Sequence, residues 1–358
     1  MRSETSALGV KKYIYGLLTT LLLVSCGNQI SEEVVQTNTI QTESTVIAVT
    51  SSIIPLSSVV NTIGWEYVEV NNIIPAGVSP HGFDMSARQM VALEESQIVF
   101  MTGLEHIDGF LEKAAADEKQ VHLADGIQLI KSSAHDHDEH EDEDEHEEHS
   151  DEHHDEEGHD EDEHDDHEDD AHNDEEHHDD AEDEHEAHNI DPHVWLGKDN
   201  IFTMADTIQI QLSEALPEQA EYFARNTRNF KTEIENVYLN FEASTDGKIP
   251  KEFIVFHDAY NYLFESIGLD SNLKIPFSEN VLHESGTAHF AELIDEIQLH
   301  NIQYIFSEPQ FSNTSLQKFT DQYNLTLATL DPIGSDDSAN GYISNLESNL
   351  SALRNIYE

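Results

Sequence analysis

From Thr45 onward, short apolar runs rich in β-branched residues alternate with stretches of helical period, and this alternation restricts the fold more than any other feature. TVIAVT reads as a buried strand, PLSSVVNTIG as a helix and YVEVNNII as a second strand. SARQMVALEES, QIVFMTG, HIDGFLEKAAA and VHLADG continue the series as helix, strand, helix and strand. After an interruption, FIVFH, NLKIPFS, IQYIFSEP and LTLATLD read as four more strands, separated by the helical patterns YNYLFESIG, TAHFAELIDEIQLH and SLQKFTDQY. Strand–helix–strand units bring their strands together in parallel. The expected fold is therefore α/β, with two lobes that each hold a parallel sheet flanked by helices. Between them, PEQAEYFARNTRNFKTEIENVYLNFEAS keeps a helical period from Pro217 onward, enough for a rod of about 40 Å. We expect it to be a long rigid backbone helix joining the lobes. The expected boundaries are an N-terminal lobe over 45–216, a linker helix over 217–244 and a C-terminal lobe over 249–358.

The interruption is the second constraint. His135 to His188 contains 33 Asp and Glu, 15 His and neither Lys nor Arg. Such a run cannot bury enough apolar surface to offset its ordering entropy, so it is expected to be disordered. Solubility alone needs only carboxylates. Histidines at this density point to metal handling, because imidazole binds zinc, copper and nickel. Without fixed geometry the run should be a weak, many-sited collector, with a selective site elsewhere. The formal net charge of −58 argues against nucleic acid as a partner and against docking on anionic lipid through a basic patch.

The N-terminus reads as a targeting segment over 1–26. Lys11 and Lys12 precede the apolar YIYGLLTTLLLVS, which is much shorter than the roughly 20 residues of a membrane span. Leu23-Val24-Ser25-Cys26 is similar to a bacterial lipobox, and Cys26 is the only cysteine. Lipidation at Cys26 is thus expected, with a polar tether over 27–44. No GxGxxG, P-loop, HExxH or GxSxG motif is present.

In open parallel sheets, ligands bind beyond the carboxyl ends of the strands. Four metal-ligating residues occupy such positions: His81 in IIPAGVSPHGF, His193 in DPHVW, His257 after FIVF and Asp331 at the end of LTLATLD. Three imidazoles and a carboxylate form a four-coordinate set suited to Zn2+, whereas Mn2+ favours more oxygen ligands. His106, His122, His283, His289 and His300 fall on helices, strand starts or loops and read as structural.

PAGVSPHGFD, DPHVWL, VFHDAYNYLFESIGL and FSEPQFSN resemble the substrate-binding proteins of bacterial zinc and manganese ABC importers, the zinc-uptake branch in particular. The resemblance covers nearly all of the chain beyond the targeting segment. It implies a metal site in a cleft between two lobes, with His81, His193 and His257 as ligands. It also implies a His/acid-rich loop at the position of the run. Some zinc members have Glu before the first histidine, where this chain has Pro80, which leaves the fourth position to Asp331, a water or a histidine of the run. Glu308, in the SEPQ block, is expected beside the cleft as a supporting or alternative ligand. The reading that follows is an extracytoplasmic, lipid-anchored, monomeric receptor that delivers Zn2+ to an ABC permease and is not an enzyme. A manganese receptor of the same class, a zinc hydrolase and a metal buffer are the alternatives.

Overall fold

The computed structural model describes residues 46–80, 83, 85–131, 190–277, 287–311 and 314–358. The targeting segment with Cys26, the tether, His81 and the run from His135 to His188 lie outside the described residues.

The alternation folds as its periodicity requires. The first sheet comprises β1 (Ile47–Ser51), β2 (Val68–Asn72), β3 (Ile98–Met101) and β4 (Gln120–His122), connected through α1 (Ile54–Gly64), α2 (Ala87–Glu95) and α3 (Asp108–Ala114). Its strand order is β2-β1-β3-β4, with every pair parallel. After β4 the chain passes through α4 (Lys198–Ala215) to α5 (Ala220–Thr245). The expected helical pattern begins with a 3-10 turn at Pro217–Gln219 and becomes α-helical at Ala220. The second sheet comprises β5 (Phe253–Val255), β6 (Lys274–Pro276), β7 (Tyr304–Ser307) and β8 (Thr326–Thr329). Around it run α6 (Asn261–Ser266), α7 (Thr287–His300), α8 (Thr314–Tyr323) and α9 (Gly341–Leu353). Its order, β6-β5-β7-β8, repeats that of the first and is again parallel.

In each sheet the chain leaves the first strand in one direction and later crosses back to its other side. A crevice opens at such a reversal, at the carboxyl ends of the two central strands. In the second sheet these strands are β5 and β7. His257 lies two residues beyond the end of β5, and Glu308 immediately follows β7.

The two halves share one apolar core. Ile53, Leu56 and Phe100 of the first belong to the same buried cluster as Phe253, Phe264 and Phe306 of the second, with Phe230 and Ile234 of α5 among them. A smaller cluster around Ile254, Leu293 and Leu316 fills the far side of the second sheet. The α5 stripe explains its place: Phe223, Thr227, Phe230, Ile234, Val237, Tyr238 and Phe241 recur at three- and four-residue spacing and are all buried. Polar ties cross the same joint. Trp195 Nε1 donates to the Pro332 carbonyl at 2.7 Å, Tyr342 Oη donates to the Trp195 carbonyl at 2.6 Å, and Ser58 Oγ donates to the Ser338 carbonyl at 2.7 Å. At Gly341 a Cβ would lie 1.8 Å from the Asp336 carbonyl oxygen, so this close approach admits only glycine.

Lys131 and Ile190, which flank the run, pair as an isolated antiparallel bridge. The Asp191 amide donates to the Ile130 carbonyl at 2.9 Å. Tyr262 of α6 joins both stems, because its hydroxyl accepts from the Ile130 amide at 2.9 Å and donates to the Asp191 carbonyl at 3.1 Å.

Candidate metal centre

The Asp-Pro-His sequence builds the first element of the site. Asp191 Oδ1 accepts from the His193 amide at 2.9 Å, closing a side-chain turn of the kind Asp favours, and lies 2.8 Å from Nδ1 of the same histidine. Val194–Leu196 follow as a buried 3-10 turn, which sets the ring of Trp195 5.4 Å from that of His193. The second element comes from the reversal point of the other sheet. There, His257 Nδ1 lies 2.5 Å from Glu308 Oε1. Asp191 and Glu308 are each 1% exposed, His193 3% and His257 7%.

These contacts fix the chemistry of the rings. A carboxylate only accepts, so each Nδ1 carries its proton toward its carboxylate, and a ring in its neutral form then presents the lone pair of Nε2. The two Nε2 atoms face each other at 3.5 Å. With both rings in that neutral form, two lone pairs at that distance cannot form a hydrogen bond, whereas one cation can accept both. With Zn–N bonds of about 2.0–2.1 Å, the N–N edge of a tetrahedral site is about 3.3–3.4 Å. The observed separation falls within a few tenths of an ångström of that edge.

His193 and His257 are thus brought together from the two halves of the chain. Among the described residues, no group of three or more His, Cys, Asp or Glu is assembled to hold a metal. Asp331 is engaged through one of its two carboxylate oxygens. Its Oδ1 accepts from Gln310 Nε2 at 2.6 Å and from the amides of Ile333 and Gly334 at 3.1 and 2.9 Å, so that oxygen organises the turn after β8. Glu308 holds His257 from behind, as an orienting carboxylate does. Tyr260 is buried next to these carboxylates. Burial first, then the charges of Glu308 and Asp331, push its phenol well above the ordinary value, so it stays protonated.

Glu105, in the loop after β3, was not distinguished by the sequence. The Asp108 carboxylate gathers this loop, accepting from Thr102 Oγ1 at 2.6 Å and from the amides of Gly103, Leu104 and Glu105 at 2.8, 3.3 and 3.2 Å. Glu105 is 4% exposed, and its carboxyl is pushed up from 4.5 to about 8. Burial is the main cause, followed by the negative charges of Asp108 and Asp191.

Asp191, Asn261 and Lys274 also escaped the sequence reading. Only Asp191 left a signal there, its two-residue spacing from His193. Of the histidines read as structural, His300 sits between Glu252 and Glu296 at 2.6 and 3.2 Å, His122 lies 3.6 Å from Glu112, and His106 packs edge-on against Phe110. His283 lies outside the described residues.

Comparison with known proteins places this geometry in a family. Residues 49–356 match the family model described as ZnuA, zinc-uptake complex component A, periplasmic. The chain is 35% identical over 289 residues to the high-affinity zinc uptake system protein ZnuA of Haemophilus influenzae, covering 80% of this chain and 85% of that protein. A crystal structure of ZnuA shares the fold with a TM-score of 0.65 at 22% identity, covering 87% of this chain and all of the other. A ZnuA deletion mutant with zinc bound matches with a TM-score of 0.65 at 21% identity, over 87% of this chain and 98% of that one. On the extent of the family match and the identity to the Haemophilus protein, the chain belongs to the zinc-uptake component A (ZnuA) family of periplasmic proteins.

Proposed function

We infer that the chain is an extracytoplasmic receptor that binds Zn2+ and passes it to the permease of an ABC zinc importer. The observation that carries this reading is the pair of imidazole Nε2 atoms, 3.5 Å apart, each on a ring held from behind by a buried carboxylate. Neutral imidazoles suit zinc better than manganese, which seeks oxygen donors. Each ring is less than a tenth exposed, which fits capture of a cation better than a solvent-open hydrolytic site.

In this reading His81, His193 and His257 are the ligands, and Glu308 positions His257. The fourth position falls to Asp331, through the oxygen that does not organise the turn, or to a water. Cys26 carries the lipid that keeps the receptor at the cell envelope, where it works as a monomer. The run from His135 to His188 collects cations near the cleft, since its stems at Lys131 and Ile190 adjoin the Asp191–His193 turn.

Competition titration against a zinc chelator tests the ligand set. Replacing His81, His193 or His257 by Ala should weaken zinc binding by at least 100-fold with little change in the melting transition. High-affinity binding retained in His193→Ala or His257→Ala overturns the reading.

A further inference from the structure

The carboxylate behind His193 is itself held from the other half of the molecule. Asn261, at the start of α6, donates through Nδ2 to Asp191 Oδ2 at 2.9 Å and to Asp258 Oδ1 at 3.1 Å. Its Oδ1 accepts from Lys274 Nζ, on β6, at 2.6 Å. Lys274 also pairs with Asp258 Oδ1 at 2.8 Å, and the two side chains are only 5% and 7% exposed.

The direction of this chain follows from donor and acceptor chemistry. An ammonium has donors only, so the Asn261 amide must turn its oxygen toward Lys274 and its NH2 toward the two carboxylates. The reversed amide would set an oxygen against Asp191 and Asp258 and an NH2 against an ammonium. Lys274 therefore selects one of two amide orientations. That choice supplies a donor to Asp191 Oδ2, while Oδ1 of the same carboxylate takes the His193 amide and Nδ1. At 1% exposure Asp191 has little solvent to replace a lost donor.

We propose that Lys274 and Asn261 are positioning residues of the metal site, acting through Asp191 to hold the His193 ring with Nε2 toward His257. The inference rests on the reading of His193 as a zinc ligand. It adds that the affinity of the site is set partly by an ammonium three contacts away, on the opposite sheet. A purely structural role would have Lys274 and Asp258 pin β6 to the loop after β5, with no effect on the ring.

The test uses the full chain and two readouts that stability alone would not move: zinc affinity by chelator competition, and the visible absorption of bound Co2+. The variants are Asn261→Ala and Lys274→Met, with His193→Ala alongside. In the metal-free protein, nitrogen-detected NMR of the His193 Nδ1–H gives a third readout. Both positioning variants should lose about 10-fold or more in zinc affinity, the scale on which groups that orient a ligand act. Both should also change the Co2+ spectrum and speed exchange of the His193 Nδ1 proton. Wild-type affinity and spectrum in either variant remove that residue from the relay. If Lys274→Met fails to fold, Asn261→Ala keeps the Lys274–Asp258 pair and decides the matter. Tight binding retained in His193→Ala would sink the ligand assignment itself. Loss in His193→Ala with none in Asn261→Ala would sink the relay alone.

Discussion

Replacing Glu308 by Gln isolates the charge behind His257 without changing the shape of the site. Glu308 is 1% exposed and its Oε1 lies 2.5 Å from His257 Nδ1, so the contact is a buried, charge-assisted hydrogen bond. A glutamine oxygen can still accept the Nδ1 proton, which keeps the tautomer and leaves Nε2 toward the metal. What goes is the negative charge that makes the imidazole a stronger donor as it binds a cation. Charge-assisted bonds are about twice as strong as neutral ones, and loss of such an outer partner typically costs about 10- to 100-fold in metal affinity. Glu308→Gln should therefore fall near the lower end, about 10-fold or about 1.4 kcal/mol. Glu308→Ala should lose more, because Nδ1 then lacks an acceptor in a site with little solvent. Chelator competition measures the affinity, and a melting curve of the metal-free protein checks that the fold is intact. An unchanged zinc affinity in Glu308→Gln would refute the argument that this carboxylate tunes the ring.

Glu105 gives a pH dependence with a defined sign. Its carboxyl lies at about 8 in the folded protein against 4.5 as its ordinary value, so its contribution is fully present below about 4.5 and is lost as pH rises through about 8. The rise corresponds to on the order of 5 kcal/mol at about 1.4 kcal/mol per pH unit. Metal-free Glu105→Gln should therefore gain stability over wild type between pH 6 and 9 in denaturant titrations, and equal curves at both ends would contradict the assignment. Exchanging residues 135–188 for a short turn should leave one tightly bound zinc and remove only weak equivalents in calorimetry, whereas loss of the tight site would make the run an essential ligand. In wild type those weak equivalents should fade as pH drops through about 6.5, where imidazole gains its proton. Cys26→Ser should release the protein from the membrane fraction, and a variant that still sediments with membrane would rule out lipid anchoring.

The strands and most helices were legible because an unbroken apolar run and a period of 3.6 are local properties, as in IVFM of β3 and the buried stripe of α5. Strand-end placement likewise led to His193 and His257, which the fold brings to 3.5 Å. The shared core was not legible, since an apolar stripe records that a helix is buried but not which sheet it covers. Nor was the support of the site. Asn261 lies 70 residues from Asp191 and 13 from Lys274, and only the tertiary fold makes those separations short. Nor were the bonds of Asp331, whose Oδ1 organises the turn after β8, because strand-end position alone does not give a carboxylate's hydrogen-bond partners.

The bridge between Lys131 and Ile190 makes the intervening segment a cassette. Its two ends leave the fold as neighbours, and one phenol, Tyr262, holds the backbone on both sides of the join. For a loop closed between adjacent points, each doubling of length adds only about 0.6 kcal/mol to the closure cost. Insertions, deletions and repeats of His and acidic residues can therefore accumulate here while the Asp191 turn stays in register. The same join offers a protein engineer a splice point for a reporter domain beside the Asp191–His193 turn.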